Sequence, residues 1–525
     1  MKTIKYTSVL LAAVLLVGMS SCKKQLNQTP KYGLNSEVVY SDPANYINVL
    51  AKIYSGLSVT GIQGPAGNGD ISGIDEGFSA YVRVLYNLQE LPTDESVCGW
   101  NDPGIPEMNR MQWSADNAFV KAMYARIFYQ ITLCNEFIRE SSDEKMTERG
   151  FTDAQQEEIR TFRNEARFLR ALAYTHAMDL FGNVPFVTEA DLVGGGVPEQ
   201  IQRAALFEYI EGELLDLENL LLDPAQCPYG RASKAAAQFL MAKNYLNAEV
   251  YTGLSRASNC LTYCQKVMDW GYYQLDDNYQ DIFLADNETS PEIIFPVTFD
   301  GMFTQTYGGT TFLINASIGG SMIASQYGTN GGWQGLRTTR PFVEKFPDTT
   351  QDSRFLFYRD GQTLDITNLG TFTEGYAFPK FRNITSTGNL GSNANAGFSD
   401  VDFPMMRLAD VYLMYMEAAL RGAGNTGTGE TLFNQLRERA YGNSSFNITG
   451  VTLDDVLDER ARELSWECTR RTDLIRFGRY TEGSYVWPFK GGDVNGVAAS
   501  SHLNLYPIPT SDIILNPNLA QNPGY

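Results

Sequence analysis

The chain has 525 residues, of which 43% are apolar and 12% aromatic, so it can bury a large core and its bulk is not disordered. Lysine and arginine number 41 and aspartate and glutamate 61, which gives a net charge of −20. This charge argues against nucleic acid and anionic lipid headgroups as partners, because both repel a polyanion, and it indicates a neutral or cationic ligand.

The first 21 residues have the pattern of a secretory signal peptide. Lys2 and Lys5 give a cationic start, and an unbroken apolar run from Val9 to Val17 follows. Nine residues rise only about 13 Å as a helix. This is less than half of the roughly 30 Å hydrocarbon core, so the run is too short for a lasting transmembrane span. We therefore expect residues 1–21 to target the chain and then to be removed.

Cys22 is the candidate lipidation site. Residues 18–21 (GMSS) precede it, and small residues directly before a cysteine resemble the lipobox of bacterial lipoproteins. The alternative is an ordinary cleavage site with a chance cysteine beside it. Acyl chains on Cys22 would give a durable membrane anchor, since each buried methylene contributes about 0.8 kcal/mol. Residues 22–40 are then the lipidated cysteine and a polar tether, and residues 41–525 form a single body outside the membrane.

Repeated pairs of helical segments follow the tether. The first begins at Asp42 and Pro43, an N-cap and first-turn pair ahead of apolar residues at helical spacing. The same periodicity predicts helices near residues 114–131, 154–181, 206–222, 232–252, 257–270, 405–421, 430–440 and 453–471. Alanine-rich stretches supply small residues where neighbouring helices approach, as tetratricopeptide repeats require. We predict an all-α fold with a tetratricopeptide-like helix-pair scaffold over about 41–270 and 405–480.

A large irregular region is predicted to carry the ligand site. Between residues 272 and 404 the helical period fades, and nine glycines fall within residues 301–340. This composition favours loops and short strands, and together with residues 60–113 the region is expected to form the ligand face. After residue 481 several prolines predict an extended, turn-rich segment that lies along the helical body.

Motifs for catalysis or for a cofactor are missing from the sequence. The two histidines are His176, inside an apolar helical segment where a core role is the common one, and His502, in a loop without a nucleophile motif. No HExxH, GxSxG, Walker or CxxC motif occurs. Cys260 and Cys264 lie four residues apart and predict a buried thiol pair rather than a metal site. No cofactor is predicted; bound calcium is compatible with the composition but is not predicted.

Clustered carboxylates leave one enzymatic alternative open. A glycoside hydrolase needs only a pair of carboxylates. Those of one aromatic-containing stretch are Asp70, Asp75, Glu76, Asp94, Glu95 and Asp102. In a chain with 61 acidic residues such a cluster is usually a solvated loop, so hydrolysis is the less favoured hypothesis.

A second charged cluster lies near the C-terminus. Glu459, Glu463 and Glu467 recur at four-residue spacing, with Arg462, Arg470 and Arg471 nearby. This pattern predicts structural ion pairs, and binding of an anionic sugar is the alternative.

Two stretches, residues 75–101 and 307–333, have the composition of a sugar-binding surface. Aromatic rings offer flat faces to pyranose C–H groups, and neighbouring polar side chains can bond hydroxyl pairs. Arg83 supplies a rigid fork of donors and Asp75 an acceptor, which together fit vicinal hydroxyls. Sugar binding requires both kinds of group.

The candidate stacking residues are Trp100, Tyr307 and Trp333. Each ring alone would by default be a core aromatic. The glycine-rich flank of Trp333, residues 329–332 (TNGG), gives that ring no helix or strand face to pack on and so favours exposure.

Long stretches of the chain are similar to the SusD/RagB family. They are GNGDISGIDEGFSAYVRVLYNLQELPTDE, EARFLRALAYTHAMDLFGNVPF, RASKAAAQFLMAKNYLNAEVYTG, DERARELSWECTRRTDLIRFGRY and LYPIPTSDIILNPNLAQNPGY. The resemblance covers nearly the whole mature chain, and the closing Pro-Ile-Pro to Gly-Tyr run is quite specific. It implies a non-catalytic lipoprotein of the outer membrane, facing outside, that captures a polysaccharide or oligosaccharide and sits as a lid on a TonB-dependent transporter barrel.

The resemblance also implies roles for individual residues. In the starch-binding member of the family an arc of aromatic residues and an Asp/Arg pair contact an α-glucan. By motif, Asp75 and Arg83 match that pair, Tyr307 in TYGG matches the arc tyrosine, and Trp333 in TNGGW matches an arc tryptophan.

One position departs from the family pattern. The other arc tryptophan matches Cys98, with Trp100 two residues later, and Asn101 or Asp102 stands where a sugar-contacting asparagine is expected. Loss of a stacking ring would weaken binding of helical α-1,4-glucan. The resemblance therefore implies an α-glucan ligand, either starch-like or an α-1,6-linked dextran, with a different polysaccharide as the alternative. A purely structural surface lipoprotein is a further hypothesis.

Overall fold

The computed structural model describes residues 36–191 and 194–525. Cys22 and most of the tether lie outside these residues, so lipidation stays a prediction. The helices are Ser36–Val39 (α1), Tyr46–Ser55 (α2), Tyr81–Gln89 (α3), Ile105–Arg110 (α4), Ala118–Glu140 (α5), Asp143–Glu148 (α6), Asp153–Phe181 (α7), Arg203–Leu220 (α8), Lys234–Thr252 (α9), Ala257–Asp269 (α10), Gly309–Ala316 (α11), Arg340–Val343 (α12), Leu408–Ala418 (α13), Thr426–Tyr441 (α14), Leu453–Leu464 (α15), Arg470–Arg476 (α16) and Thr510–Leu515 (α17).

Short antiparallel strand pairs accompany the helices. The strands are Val97–Cys98 (β1), Val184–Pro185 (β2), Gln200–Ile201 (β3), Ile293–Val297 (β4), Leu336–Arg337 (β5) and Phe403–Arg407 (β6). β1 pairs with β5, β2 with β3, and β4 with β6. With so little strand, the prediction of an all-α fold is confirmed.

The scaffold is a row of helices in which each packs on the next. α5 packs on α7, α7 on α8, α8 on α9, α9 on α10, α10 on α13, and α13 on α14. Because α10 contacts α13 directly, the long segment between them is an excursion from the scaffold. Alanines of α9 at helical spacing, including Ala235 and Ala242, are fully buried where the neighbouring helices approach.

Caps fix where the scaffold helices begin. Asp42 accepts a hydrogen bond from Ala44 N at 3.0 Å and caps the 3-10 turn Pro43–Asn45 that leads into α2, so the predicted cap is confirmed. Thr152 and Gln155 form a capping box at the start of α7. Among the residues that the structure describes, no helix combines the length and the apolar character needed to cross a membrane.

Two predicted helices are broken where tertiary contacts override the period. The segment 405–421 begins as β6, because pairing with β4 takes residues up to Arg407, and α13 starts only at Leu408. The segment 453–471 divides into α15 and α16, since Trp466 and Cys468 adopt positive φ angles of 63° and 62°. In addition, residues 81–89 form α3, a buried helix that the sequence analysis did not place.

The predicted ion pairs of the second charged cluster are confirmed, but most partners come from distant parts of the chain. Glu459 accepts from Arg354 at 2.6 Å and from Arg437 at 2.8 Å, and Glu463 accepts from Arg407 at 2.7 Å. Glu467 is bonded by Lys380 at 2.6 Å. We call this the charge network; its members are Glu292, Asp352, Arg354, Lys380, Arg407, Arg437, Arg439, Glu459, Arg462, Glu463 and Glu467. Its members are buried, so the cluster is not open to an anionic sugar.

The C-terminal segment closes over the first third of the chain. Tyr506 donates to the carbonyl oxygen of Leu88 at 2.7 Å, and the indole N–H of Trp113 donates to the hydroxyl of Tyr525 at 2.7 Å. Arg470 at the start of α16 forms a paired contact with both carboxylate oxygens of Asp94. The C-terminal part of the chain is therefore packed against residues 88–113.

His176 and the thiol pair have core roles, as predicted. The Nδ1 atom of His176 lies 2.8 Å from the hydroxyl of Tyr81, and burial lowers the pKa of His176 to about 4, so the ring is neutral at pH 7. The Sγ atoms of Cys260 and Cys264 lie 4.0 Å apart in a buried position.

Candidate functional site

Three predicted aromatic residues lie side by side, Tyr307 and Trp333 in the excursion and Trp100 in the segment that follows β1. The ring centroids of Tyr307 and Trp333 are 6.1 Å apart at an interplanar angle of 71°, and those of Trp333 and Trp100 are 6.4 Å apart at 46°. Tyr307 is 37% exposed, and the two tryptophans are partly buried. We call Tyr307, Trp333 and Trp100 the aromatic arc, because their successive tilts produce a curved face and not a flat one.

The β1–β5 ribbon brings the two tryptophans together. Trp100 follows β1 and Trp333 precedes β5, and the ribbon aligns Cys98 with Leu336. The indole N–H of Trp100 donates to the carbonyl oxygen of Trp333 at 3.0 Å. Close contact depends on Gly335, where a Cβ atom would lie only 2.6 Å from the Trp100 ring.

Arg83 lies beneath the arc and holds Tyr307 in place. Its Nη1 atom donates to the carbonyl oxygens of Tyr307 at 2.8 Å and Gly77 at 3.2 Å. The guanidinium stacks over Phe312 at 4.5 Å and Trp100 at 5.6 Å from the ring centroids. Burial lowers the pKa of Arg83 to about 10, which leaves the group charged at pH 7.

The Arg83 fork is not fully used by the protein. Its Nε atom is buried and has no hydrogen-bond partner among residues 36–191 and 194–525. Only Nη1 of the guanidinium makes hydrogen bonds within that part of the chain. Because Nε is closed off from solvent, Nη2 is the donor that a ligand hydroxyl can reach.

Asp75 and Asn101 flank the arc at the surface. Asp75 is exposed, and its Oδ1 atom accepts from the backbone N–H of Phe78 at 3.1 Å, which fixes the turn that leads into α3. The same Oδ1 lies close to Gly77, whose Cα in turn lies beside the ring of Tyr307. Asn101 is exposed directly after Trp100, as is Asp102. The structure therefore brings all six predicted site residues to one region.

Cys98 cannot present a side chain to a ligand. It is fully buried in β1, where the side chain of Asn109 bonds both its backbone N at 3.0 Å and its carbonyl oxygen at 2.7 Å. Trp100, two residues later, contributes the ring next to Trp333. The ring next to Trp333 therefore stands on a different backbone position from the one that the family motif indicates.

Two neighbours of the arc were not predicted. Phe398 stacks on Tyr307 with centroids 5.8 Å apart at 26°, and Phe312 of α11 supports Arg83. Phe398 stands in the loop NANAGFSD, and the argument from glycine-rich flanks that singled out Trp333 applies to it equally. Phe312 carries no such signal, since its segment is an ordinary buried helix.

The clustered carboxylates do not converge. Burial alone would raise the pKa of Asp94, but its pairing with Arg470 lowers it to about 2. Burial and the neighbouring Asp94 raise the pKa of Glu95 to about 8. Asp70 pairs with Arg126 of α5 at 2.7 Å, so Asp70 and Asp94 are held by different arginines. Within the described ranges, no group of three or more His, Cys, Asp or Glu side chains is arranged to hold a metal ion.

Comparison with known proteins gives one consistent result. The model of the SusD family matches residues 239–525. The chain is similar to the starch-binding protein SusD of Bacteroides thetaiotaomicron, at 34% identity over 99% of this chain and 98% of that protein. A SusD-like protein of Formosa agariphila is 23% identical over 99% of this chain and 100% of that protein.

Solved structures agree in fold. Surface glycan-binding protein A of Bacteroides thetaiotaomicron, in complex with laminarihexaose, aligns with a TM-score of 0.70 and 20% identity over 91% of this chain and 99% of that chain. A SusD superfamily protein of Parabacteroides distasonis aligns with a TM-score of 0.71 and 20% identity over 94% of this chain and 100% of that chain. At such identities the likeness shows the fold alone.

Proposed function

The chain belongs to the SusD family and is a non-catalytic glycan-binding protein, and from this premise we propose that it binds an α-glucan at the cell surface and delivers it to a TonB-dependent transporter. The residues that bind are the aromatic arc with Asp75, Arg83 and Asn101. The lipid anchor is Cys22, and the membrane is the outer membrane, with the site facing outside.

The observation that carries the proposal is the geometry of the arc. Three rings within 6.1 and 6.4 Å of each other, tilted by 71° and 46°, match successive faces of a curved chain of pyranose rings. An extended, flat polysaccharide would contact fewer of these faces at once. The curvature therefore favours a glycan that bends, as α-linked glucans do.

Polar groups beside the arc supply orientation. Asp75 offers a carboxylate oxygen and Arg83 an unpartnered donor, so hydroxyl pairs can be bonded while the sugar faces stack. The relative with 34% identity over almost the whole chain is a starch-binding protein, which supports an α-1,4-glucan. The third ring stands at Trp100 and not at the position of Cys98, which changes the shape of the arc. α-1,6-linked dextran is therefore the main alternative ligand.

Native affinity electrophoresis of residues 23–525 tests the proposal. Gels containing starch, dextran, pullulan or laminarin are run with the wild type, Trp333→Ala and the control Trp270→Ala. Trp270 is a partly buried tryptophan at the end of α10, whose indole N–H donates to Gln238 at 2.8 Å, so the control removes an equal side chain from the scaffold.

Retardation of the wild type and of Trp270→Ala by an α-glucan, lost in Trp333→Ala, is the expected result, and the gel that retards identifies the linkage. Retardation by laminarin alone would replace the α-glucan with a β-glucan. If Trp333→Ala and the wild type were retarded equally, the aromatic arc would not be part of the glycan-binding site.

A further inference from the structure

A cleft lies between α2, the loop that joins α8 to α9, and the part of the excursion that contains Thr298 and Thr304. Its volume is about 330 Å³. We call it the Tyr229 cleft; it is lined by Ala51, Tyr54, Ser58, Tyr229, Thr298 and Thr304, among others. Its walls thus combine two tyrosine rings with aliphatic hydroxyl groups.

The wall of the cleft carries no unpaired charge. Arg231 is the cation at its edge, and it bonds the carboxylate of Glu165, with Nε–Oε2 at 2.9 Å. Tyr54 donates to the same carboxylate at 2.6 Å. Since the cation is already neutralised, the cleft offers little to an anionic ligand and suits a neutral, hydroxyl-rich one.

The ring of Tyr229 is held rigidly while remaining 45% exposed. Its hydroxyl donates to Oδ2 of the buried Asp402 at 2.7 Å, and Oδ1 of Asp402 accepts from the backbone of Phe299 at 2.8 Å. A fixed, half-exposed aromatic face loses little side-chain entropy when a sugar ring packs on it.

The cleft is continuous with the arc through one short loop. Thr304 lines the cleft and Tyr307 belongs to the arc, so at most about 11 Å of backbone separates them. The same loop carries Phe303, which directly precedes Thr304 and is 87% exposed. The adjacent Met302 is 54% exposed, so Phe303 is part of an apolar surface and not a single exposed ring, and such surfaces mark contacts with a ligand or partner.

The loop that carries Phe303 is fixed and not free. The carboxylate of Asp300 accepts from the backbone N–H groups of Met302 at 2.8 Å and Phe303 at 3.0 Å. The backbone N–H of Gly301 donates to Asp400 at 2.7 Å, in the loop that also carries Phe398. This hydrogen-bonded turn therefore keeps the ring of Phe303 exposed. The turn is also joined to the loop of Phe398, whose ring stacks on Tyr307.

We propose that the Tyr229 cleft is a second saccharide subsite, which takes a distal part of the same neutral glycan that stacks on the aromatic arc, with the exposed ring of Phe303, next to Thr304, contacting the same glycan. This inference rests on the proposed function. A protein segment is the competing occupant, because Ile47 and Met302 are also exposed at the rim. The hydroxyl-lined wall and the continuity with the arc favour the glycan.

Isothermal titration of the chain with maltotriose, maltoheptaose and the matching isomalto-oligosaccharides tests the subsite. Ala51→Arg places a long side chain in the cleft from an exposed helical position, and Asn48→Arg, exposed on the same helix outside the cleft, is the control with equal charge. Phe303→Ala removes the bridging ring without disturbing the core.

We expect Ala51→Arg and Phe303→Ala to weaken heptasaccharide binding about fivefold or more, equivalent to about 1 kcal/mol, and to leave trisaccharide binding unchanged. Asn48→Arg should bind both as the wild type does. Unchanged heptasaccharide affinity in Ala51→Arg would overturn the subsite and assign the cleft to a protein segment. Equal losses of affinity in Ala51→Arg and Asn48→Arg would show that added surface charge, and not occupation of the cleft, weakens binding, which would also overturn the subsite. A wild type that binds no member of either series would overturn the proposed function itself, which the wild-type titration alone reveals.

Discussion

The indole N–H of Trp100 donates to the backbone carbonyl of Trp333 at 3.0 Å, so one ring of the aromatic arc holds the backbone that carries the next. The two residues are 233 positions apart in the sequence. Because this bond and the β1–β5 ribbon fix the tilt of both rings, a ligand meets a surface that is already ordered. Preorganisation of this kind reduces the entropy lost on binding.

Trp100→Phe should weaken glycan binding while leaving the fold intact. The phenyl ring still stacks, but the carbonyl of Trp333 loses its donor, which corresponds to about 0.5–1.5 kcal/mol and therefore roughly a two- to tenfold loss of affinity. Titration calorimetry with the retarding oligosaccharide measures the change. Trp270→Phe loses a comparable bond to Gln238 in the scaffold and should bind normally; equal affinities of the two variants would show that the bond does not matter for the arc.

Arg83→Lys should lower both affinity and stability. A lysine keeps the charge but cannot reach both carbonyl oxygens while stacking on Phe312, so the backbone of Tyr307 is released. We expect about a tenfold loss of affinity by calorimetry and a loss of about 1–3 kcal/mol in the free energy of unfolding by urea titration. Arg382→Lys is the control, since Arg382 also donates to a carbonyl oxygen, that of Pro379, but away from the arc. If both variants lost stability and neither lost affinity, Arg83 would be a structural residue only.

Gly308→Ala should displace Tyr307. A Cβ atom at Gly308 would lie 2.2 Å from the Cβ of Ala80, so the start of α11 must move away from α3. We expect a loss of about 1–3 kcal/mol in the free energy of unfolding together with weakened glycan binding. Gly427→Ala, at an open position in α14, should instead gain about 0.5–1 kcal/mol and bind normally. If Gly308→Ala bound glycan with wild-type affinity, displacement of the start of α11 would not disturb the contribution of Tyr307 to binding.

Glu459→Gln should lower the free energy of unfolding at pH 7. It should also make the free energy of unfolding depend less on pH in the acid range. Burial alone would raise the pKa of Glu459, but Arg354, Arg462 and Arg437 overcome it and set the pKa at about 2. Since the folded-state pKa lies below the unfolded value of about 4.3, the carboxylate stabilises the fold above that pH and this contribution is lost as the pH falls toward 2.

The glutamine variant leaves three buried arginines short of an acceptor, so we expect a loss of about 3–5 kcal/mol at pH 7. Urea titrations between pH 2 and pH 7 measure it. Glu157→Gln, which loses an exposed pair with Arg160, should change the free energy of unfolding by less than about 1 kcal/mol. If Glu459→Gln lost as much free energy of unfolding between pH 7 and pH 2 as the wild type does, ionisation of Glu459 would not contribute to the acid-dependent stability.

Local patterns in the sequence were sufficient for the scaffold and for the identity of the arc. The helical period over residues 154–181 predicted α7, which spans Asp153–Phe181. The glycine-rich flank of Trp333 predicted an exposed ring, and the ring lies outside regular structure but is only partly exposed. These features depend on neighbours within a few positions, which the sequence displays directly.

Features that depend on long-range contacts could not be predicted in the same way. The break between α15 and α16 exists because Trp466 is drawn into a pocket where its backbone N–H bonds Glu95, 371 positions away. The carbonyl-holding role of Arg83 likewise requires Tyr307, 224 positions away, whereas the sequence indicated only a donor fork. Similarly, the glutamates at four-residue spacing predicted ion pairs but not that Arg354 and Arg407 complete them.

The contacts of the C-terminal segment with the first third of the chain set an order of events during biogenesis. A polypeptide that leaves the ribosome N-terminus first exposes α3, α4 and Asp94 long before Arg470, Tyr506 and Tyr525 have been synthesised. Native closure must then wait for the last residues, since pairings of such high sequence separation form late. We therefore expect the nascent chain to stay open and threadable through an export channel, and to fold as one unit only after it has emerged on the far side.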